Sequence, residues 1–136
     1  MNTHTDVALI LWNPDVIELV SLILQRRNLT SCGVEPSKGA KAIEDLLTTS
    51  KPNVVVFDLE PPYDQSAAVA KRLLYRFPDP SLVITCADRG LALKKAPWLS
   101  DYPVLQKPYE MDDIANIVRF QVRRATSMDT MAIGAS

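Results

Sequence analysis

Val54-Val55-Val56-Phe57-Asp58 is the stretch on which the fold turns. An unbroken run of three β-branched residues and an aromatic describes a strand covered on both faces, because a half-exposed strand alternates apolar with polar. The run ends on a carboxylate, and Pro61-Pro62 just beyond it denies the ladder any continuation. A strand buried on both sides needs helices on both sides, so strands and helices are expected to alternate around it.

The flanking sequence meets that expectation. Val7 to Leu11 reads as a first buried strand, and Asn13-Pro14 supplies a helix cap followed by proline in the first turn. The helix after it runs to about Arg27, with Val16, Leu19, Val20, Ile23 and Leu24 inward. Leu29 to Glu35 is a weaker, edge-like strand, and Gly39 to Thr48 a short helix. Beyond Asp58, a helix covers Ser66 to Phe77, a strand Ser81 to Thr85, and a short helix Leu91 to Lys95 that Pro97 ends. Pro103 to Gln106 is a fifth strand, and Met111 to Arg124 a last helix with Met111, Ile114, Ala115, Val118 and Val122 at helical spacing. The predicted architecture is an α/β, flavodoxin-like, doubly wound parallel sheet of five βα units in the order 2-1-3-4-5. Residues 1–6 read as an N-terminal tail, 7–124 as one domain and 125–136 as a flexible C-terminal tail.

Composition narrows the function classes. The 136 residues suit one domain, and 47% hydrophobic content suffices for a packed core. A net charge of −1 gives no overall footprint for nucleic acid or an anionic membrane. No apolar run approaches the roughly 18 residues of a membrane span, and the polar N-terminus is not a secretory signal, so a cytoplasmic location is expected. Cys32 and Cys86 lack disulfide-framework or metal-site spacing, and His4 is the only histidine. A zinc site or a Ser-His-Asp triad therefore has almost nothing to be built from. Cys86 reads as a small core residue rather than a redox centre.

In the 2-1-3-4-5 order, a ligand site lies at the carboxyl ends of the strands near the switch between strands 1 and 3. Leu11-Trp12, Asp58, Thr85 and Lys107-Pro108 stand at those ends. A carboxylate, a hydroxyl and an ammonium thus converge on one edge, a set suited to an anionic group on Asp58. On these residues the chain resembles the response-regulator receiver domains of two-component signalling. The motifs are Val54-Val-Val-Phe-Asp58 with Pro62 four residues on, Leu82-Val-Ile-Thr85, Leu105-Gln-Lys107-Pro108, and Gly39 with Ala42 in the second helix. The resemblance covers roughly residues 6–124. It implies that Asp58 is the phosphoacceptor, Thr85 the switch hydroxyl and Lys107 the lysine that pairs with the phosphoryl group. It also implies phosphorelay partners: a histidine kinase or phosphotransfer protein, or a downstream protein target.

The departures from that pattern carry as much weight. The family's first strand ends in two adjacent carboxylates, and the aligned positions here are Leu11 and Trp12. Magnesium prefers hard oxygen ligands in octahedral array, so Asp58 with carbonyls and water is at most a weak site, and no metal is expected. Phosphoryl transfer leans on such a cation, so phosphorylation is expected to be weak or absent. Trp12 is expected to fill part of the space a hydrated ion would need, and Lys107 to pair directly with Asp58. The family's switch aromatic is replaced by Val104, with Tyr102 two positions further back, the small residue after Thr85 is Cys86, and the glycine expected after Asp64 is Ser66. Asn13 reads as a helix cap rather than a ligand. Glu60 and Asp64 read as loop charges.

The reading is therefore of an atypical, non-enzymatic receiver that works through protein–protein contact. Trp98, Leu99 and Tyr102 are either core or an apolar patch for a homodimer or partner on the helix 4–strand 5–helix 5 face. The alternative is a working receiver phosphorylated on Asp58. A lesser one is a haloacid-dehalogenase-like phosphatase with Asp58 as nucleophile and Glu60 as acid/base. Asp112-Asp113 opening a helix instead of ending a strand argues against it.

Overall fold

The strand Val54–Asp58 forms as expected and is buried along its whole length. It stands third in the chain and central in the sheet. The structure, a computed structural model, describes the backbone of residues 4–135 and the side chains of residues 4–125. In chain order the elements are β1 (Val7–Ile10), α1 (Pro14–Arg26), β2 (Ser31–Val34), α2 (Ala40–Ser50), β3 (Val54–Asp58), α3 (Tyr63–Arg76), β4 (Ser81–Cys86), α4 (Arg89–Lys95), β5 (Val104–Gln106) and α5 (Met111–Ala135). The sheet is parallel throughout, in the order β2-β1-β3-β4-β5.

Alternate side chains of each strand enter opposite layers. Ala8, Ile10, Val55, Phe57, Leu82 and Ile84 face the layer built from α2, α3 and α4. Val7, Leu9, Val54, Val56 and Val83 face α1 and α5. Both layers are apolar, which is why β3 carries no polar alternation until Asp58. Each fully buried Leu or Ile here contributes about 1.5–3 kcal/mol of transfer free energy.

Asn13 caps α1 as its sequence suggests, its Oδ1 accepting from the Asp15 amide at 2.9 Å with Pro14 in the first turn. Several boundaries differ from the sequence pattern. α3 begins at Tyr63 rather than Ser66, because Pro62 takes the N-cap position and the helix starts directly behind it. α2 continues to Ser50, where Lys51 turns into the left-handed region at φ 46°; Pro52 behind Lys51 disfavours a further helical residue. α5 runs to Ala135, past Arg124, since each added residue of a formed helix gains a hydrogen bond without a new nucleation cost. At the other terminus, the Thr5 amide donates to the Ser50 carbonyl at 2.8 Å, so residues 4–6 lie along the domain; residues 1–3 fall outside the described residues.

A 3₁₀ turn, Pro97–Asp101, follows α4. It puts Leu99 wholly in the core. Trp98 and Tyr102 are half-buried and meet edge to face, their ring centroids 5.7 Å apart. Of the three residues proposed as a patch, Leu99 is thus core, because the turn points it back at the sheet. No helix of the described residues is long and apolar enough to cross a membrane.

Candidate functional site

Parallel pairing in register brings the strand ends to one edge. Phe57 pairs with Ile10 and Asp58 with Thr85, so Leu11 and Trp12 leave β1 beside the end of β3. Asp58 is 4% exposed and Thr85 wholly buried. The Thr85 hydroxyl donates to Asp58 Oδ1 at 3.0 Å. Lys107 reaches across from the end of β5, with Nζ 2.7 Å from Oδ1 and 2.9 Å from Oδ2. A buried carboxylate is costly unless both oxygens are satisfied, and here one ammonium and one hydroxyl satisfy them. The three residues expected to converge do so, Thr85 and Lys107 each within hydrogen-bond distance of the Asp58 carboxylate.

Leu11 is buried at 2% exposure, and Trp12 is 37% exposed. The Trp12 indole N–H donates to the main-chain carbonyl of Asp58 at 3.1 Å. Its contact with Asp58 is therefore to the backbone, not the carboxylate. A cleft of about 310 Å³ opens beside Asp58, walled by Leu11, Asn13, Val16, Lys107, Tyr109 and Met111. Leu11 rather than Trp12 stands in this wall. The turn into α1 sends the indole over the end of β3, where it meets the Asp58 main chain.

The fold implies a magnesium site, and the donor set can be tested against it. A divalent hard cation needs several oxygen ligands with negative charge among them. Asp58 is the one carboxylate lining the cleft, and both its oxygens are engaged by Lys107 and Thr85. Glu60 is exposed on the loop beyond β3, its own amide held by the Ser66 hydroxyl at 3.2 Å. Among the described residues no group of three or more His, Cys, Asp and Glu could hold a metal ion. The residues do not fit the ion. Asp112 is bonded to Arg27 at 2.8 Å, Asp113 accepts from the Glu110 amide at 3.3 Å, and neither lines the cleft.

Three residues matter here that the sequence reading did not single out. Tyr109 lines the cleft, and burial pushes its phenol above the ordinary range, with the charge of Asp58 adding to the rise. Its place two residues after Lys107 was the available signal. Tyr63 is buried, and its hydroxyl accepts from the Asp88 amide at 3.0 Å, tying the β3–α3 junction to the β4–α4 loop. Gln106 Oε1 accepts from the Arg89 amide at 2.8 Å and so caps α4 from β5. The Ser66 hydroxyl fastens the Asp58 loop, an interaction that a glycine there could not make. Cys86 is wholly buried, and burial raises its thiol, which makes it a poor nucleophile.

The chain superposes on a CheY-like response regulator receiver domain protein from Methanospirillum hungatei JF-1 with a TM-score of 0.74 at 9% identity, covering 92% of this chain and 98% of that one. A Francisella response regulator 1452 receiver domain gives 0.70 at 17% identity, covering 89% and 98%. HP1043, an orphan response regulator of H. pylori, gives 0.66 at 10% identity, covering 90% and 99%. The fold is the receiver fold. No family model matches the sequence, and no curated protein does either. In this chain Asp58 ends β3, Thr85 is the penultimate residue of β4, Lys107 follows β5, and β1 runs out into Leu11 and Trp12.

Proposed function

We propose that this chain is an atypical receiver domain of a phosphorelay, acting through protein–protein contact with weak or absent Mg²⁺-dependent phosphorylation. One observation carries the reading: the Asp58 carboxylate is already neutralised by Lys107, with no second carboxylate beside it. In phosphoryl transfer the protein supplies positioning and charge compensation, and the cation supplies much of the latter. Lys107 alone offers one positive charge, and Asp58 already consumes it. A phosphoryl group entering this pocket would gain little that the resting pair does not have. The partner is then a histidine kinase, a phosphotransfer protein or a downstream target that reads a fixed surface. Catalysis of its own is not expected of such a domain.

A second reading rests on the retained trio. Thr85 and Lys107 stand where they would contact phosphoryl oxygens on Asp58, as in a working receiver. A Mg²⁺ titration with and without acetyl phosphate, followed by intact mass, separates the two. The atypical reading expects no Mg²⁺ response at low-millimolar concentration and little mass gain. Stoichiometric, Mg²⁺-dependent labelling that Asp58→Asn abolishes would establish the working receiver instead.

A further inference from the structure

The charges of this chain are unevenly placed, and the site at the strand ends does not use the imbalance. The spans Gln65–Pro78 and Arg89–Ser100 hold six of the 15 Lys and Arg residues and none of the 16 Asp and Glu residues. These spans are α3 and α4 with their C-terminal turns, and the two helices pack as neighbours in one layer over the sheet. Lys71, Arg72, Arg76, Arg89, Lys94 and Lys95 are all exposed. Among the described residues only Arg76 of the six has a carboxylate in range, Glu44 at 3.7 Å, an exposed pair of little energetic weight. Aromatic rings lie among these cations. Tyr75 is 92% exposed in the last turn of α3, three and four residues after Arg72 and Lys71. Lys71 Nζ sits 5.9 Å from the centroid of the Trp98 ring.

We infer that the α3–α4 surface docks a short acidic segment of a partner protein. The inference does not depend on whether Asp58 is phosphorylated. Charge complementarity selects an anionic ligand, because the chain as a whole is net −1 while the only charges within these two spans are cationic. The borders select a short one. Asp64, Asp79, Asp88 and Asp101 stand just outside the two spans, at their four ends. An extended polyanion such as duplex DNA carries a charge about every 1.7 Å of its axis and would run onto those aspartates. An acidic stretch of a few residues would not. Tyr75 and Trp98 supply what a purely electrostatic surface lacks, an apolar anchor for a side chain between the acids.

The test uses the full chain and amide NMR. The probe is a synthetic Glu/Asp-rich peptide with one central leucine. Its Gln/Asn counterpart, an oligo-dT strand and phosphatidylserine/phosphatidylcholine vesicles are run beside it. The expected result is saturable shifts confined to α3, α4 and the Pro97–Asp101 turn, weakened by salt over the Debye range. Binding should fall about tenfold in the doubly reversed variant Lys71→Glu/Arg72→Glu and weaken also in Tyr75→Ala, at exposed positions the fold does not need. Shifts centred elsewhere, an equal response to the uncharged peptide, or no shift at all would overturn the proposal. Tighter binding to oligo-dT or to the vesicles would overturn it in favour of a nucleic acid or a membrane.

Discussion

Asp58 is held by Lys107, Thr85 and Trp12, and the contacts with Lys107 and Trp12 each make a prediction. Lys107→Ala leaves a buried carboxylate without its cation, and should cost about 1–3 kcal/mol in denaturant unfolding. The upper values known for buried pairs are not expected, because the Lys107 side chain is 39% exposed and water can partly replace it. Trp12→Phe keeps a ring but deletes the bond to the Asp58 carbonyl, for a loss of about 0.5–1.5 kcal/mol, read from the shift in denaturation midpoint. Tyr109 gives a pH dependence. Its raised phenol means the folded state holds that proton more tightly than the unfolded chain, whose tyrosine ionises near about pH 10. The stability it contributes is full below that value and is lost as pH rises through the folded pKa. Phenolate absorbance should show one tyrosine titrating late, and Tyr109→Phe should remove it. In Asp58→Asn that titration should move down yet stay above the ordinary value, because burial, the larger cause, remains.

Among the elements, β2 shows how a strand is shaped by the helix over it. A Cβ built on Gly33 would lie 2.5 Å from Ile17 Cγ2 of α1 and 3.4 Å from the Leu9 carbonyl. Close approach of α1 to β2 thus requires glycine there, and Gly33→Ala should destabilise by about 1–3 kcal/mol through overpacking. Ile17→Ala deletes the clashing Cγ2, so Gly33→Ala combined with Ile17→Ala should be less destabilised than the sum of the two single variants, measured by the same unfolding curves. At the other end of the sheet, α4 is only 7 residues long and depends on its start. Asp88 Oδ1 accepts from the Leu91 amide at 3.0 Å, and Gln106 caps the Arg89 amide from β5. Such caps satisfy amides that a short helix leaves without partners.

For the molecule as a whole, the strand-end pocket and the association surfaces are separate questions. Placing acids with Leu11→Asp and Trp12→Asp is expected to improve Mg²⁺ binding over that of the native chain, read by calorimetry at low-millimolar concentration. Burying an aspartate at position 11, now 2% exposed, should cost stability at the same time. With Leu99 enclosed, a symmetric pairing through α4, β5 and α5 has Leu91 and Phe120, 41% and 63% exposed, beside the half-buried Trp98 and Tyr102. Sedimentation showing a dimer that Phe120→Ala converts to monomer is the outcome expected of that pairing.

The sheet was legible from residues 54–58 outward because period and β-branching report burial on both faces, and burial on both faces has few architectures to satisfy it. The convergence of Asp58, Thr85 and Lys107 was legible for the same reason: each ends a strand of a parallel sheet, and parallel strands end on one edge. That Leu11 and Trp12, and not carboxylates, end the first strand could be read letter by letter. Which way Trp12 turns could not, because that depends on the exit angle of the chain into α1 and on an open carbonyl on a strand 46 residues away in sequence. Nor could the enclosure of Leu99, the reach of Tyr63 to the β4–α4 loop, or the cap that Gln106 lends to α4. Local sequence encodes period and propensity. Contacts between distant loops are decided by where the packed layers place their ends, and only the tertiary structure contains that information.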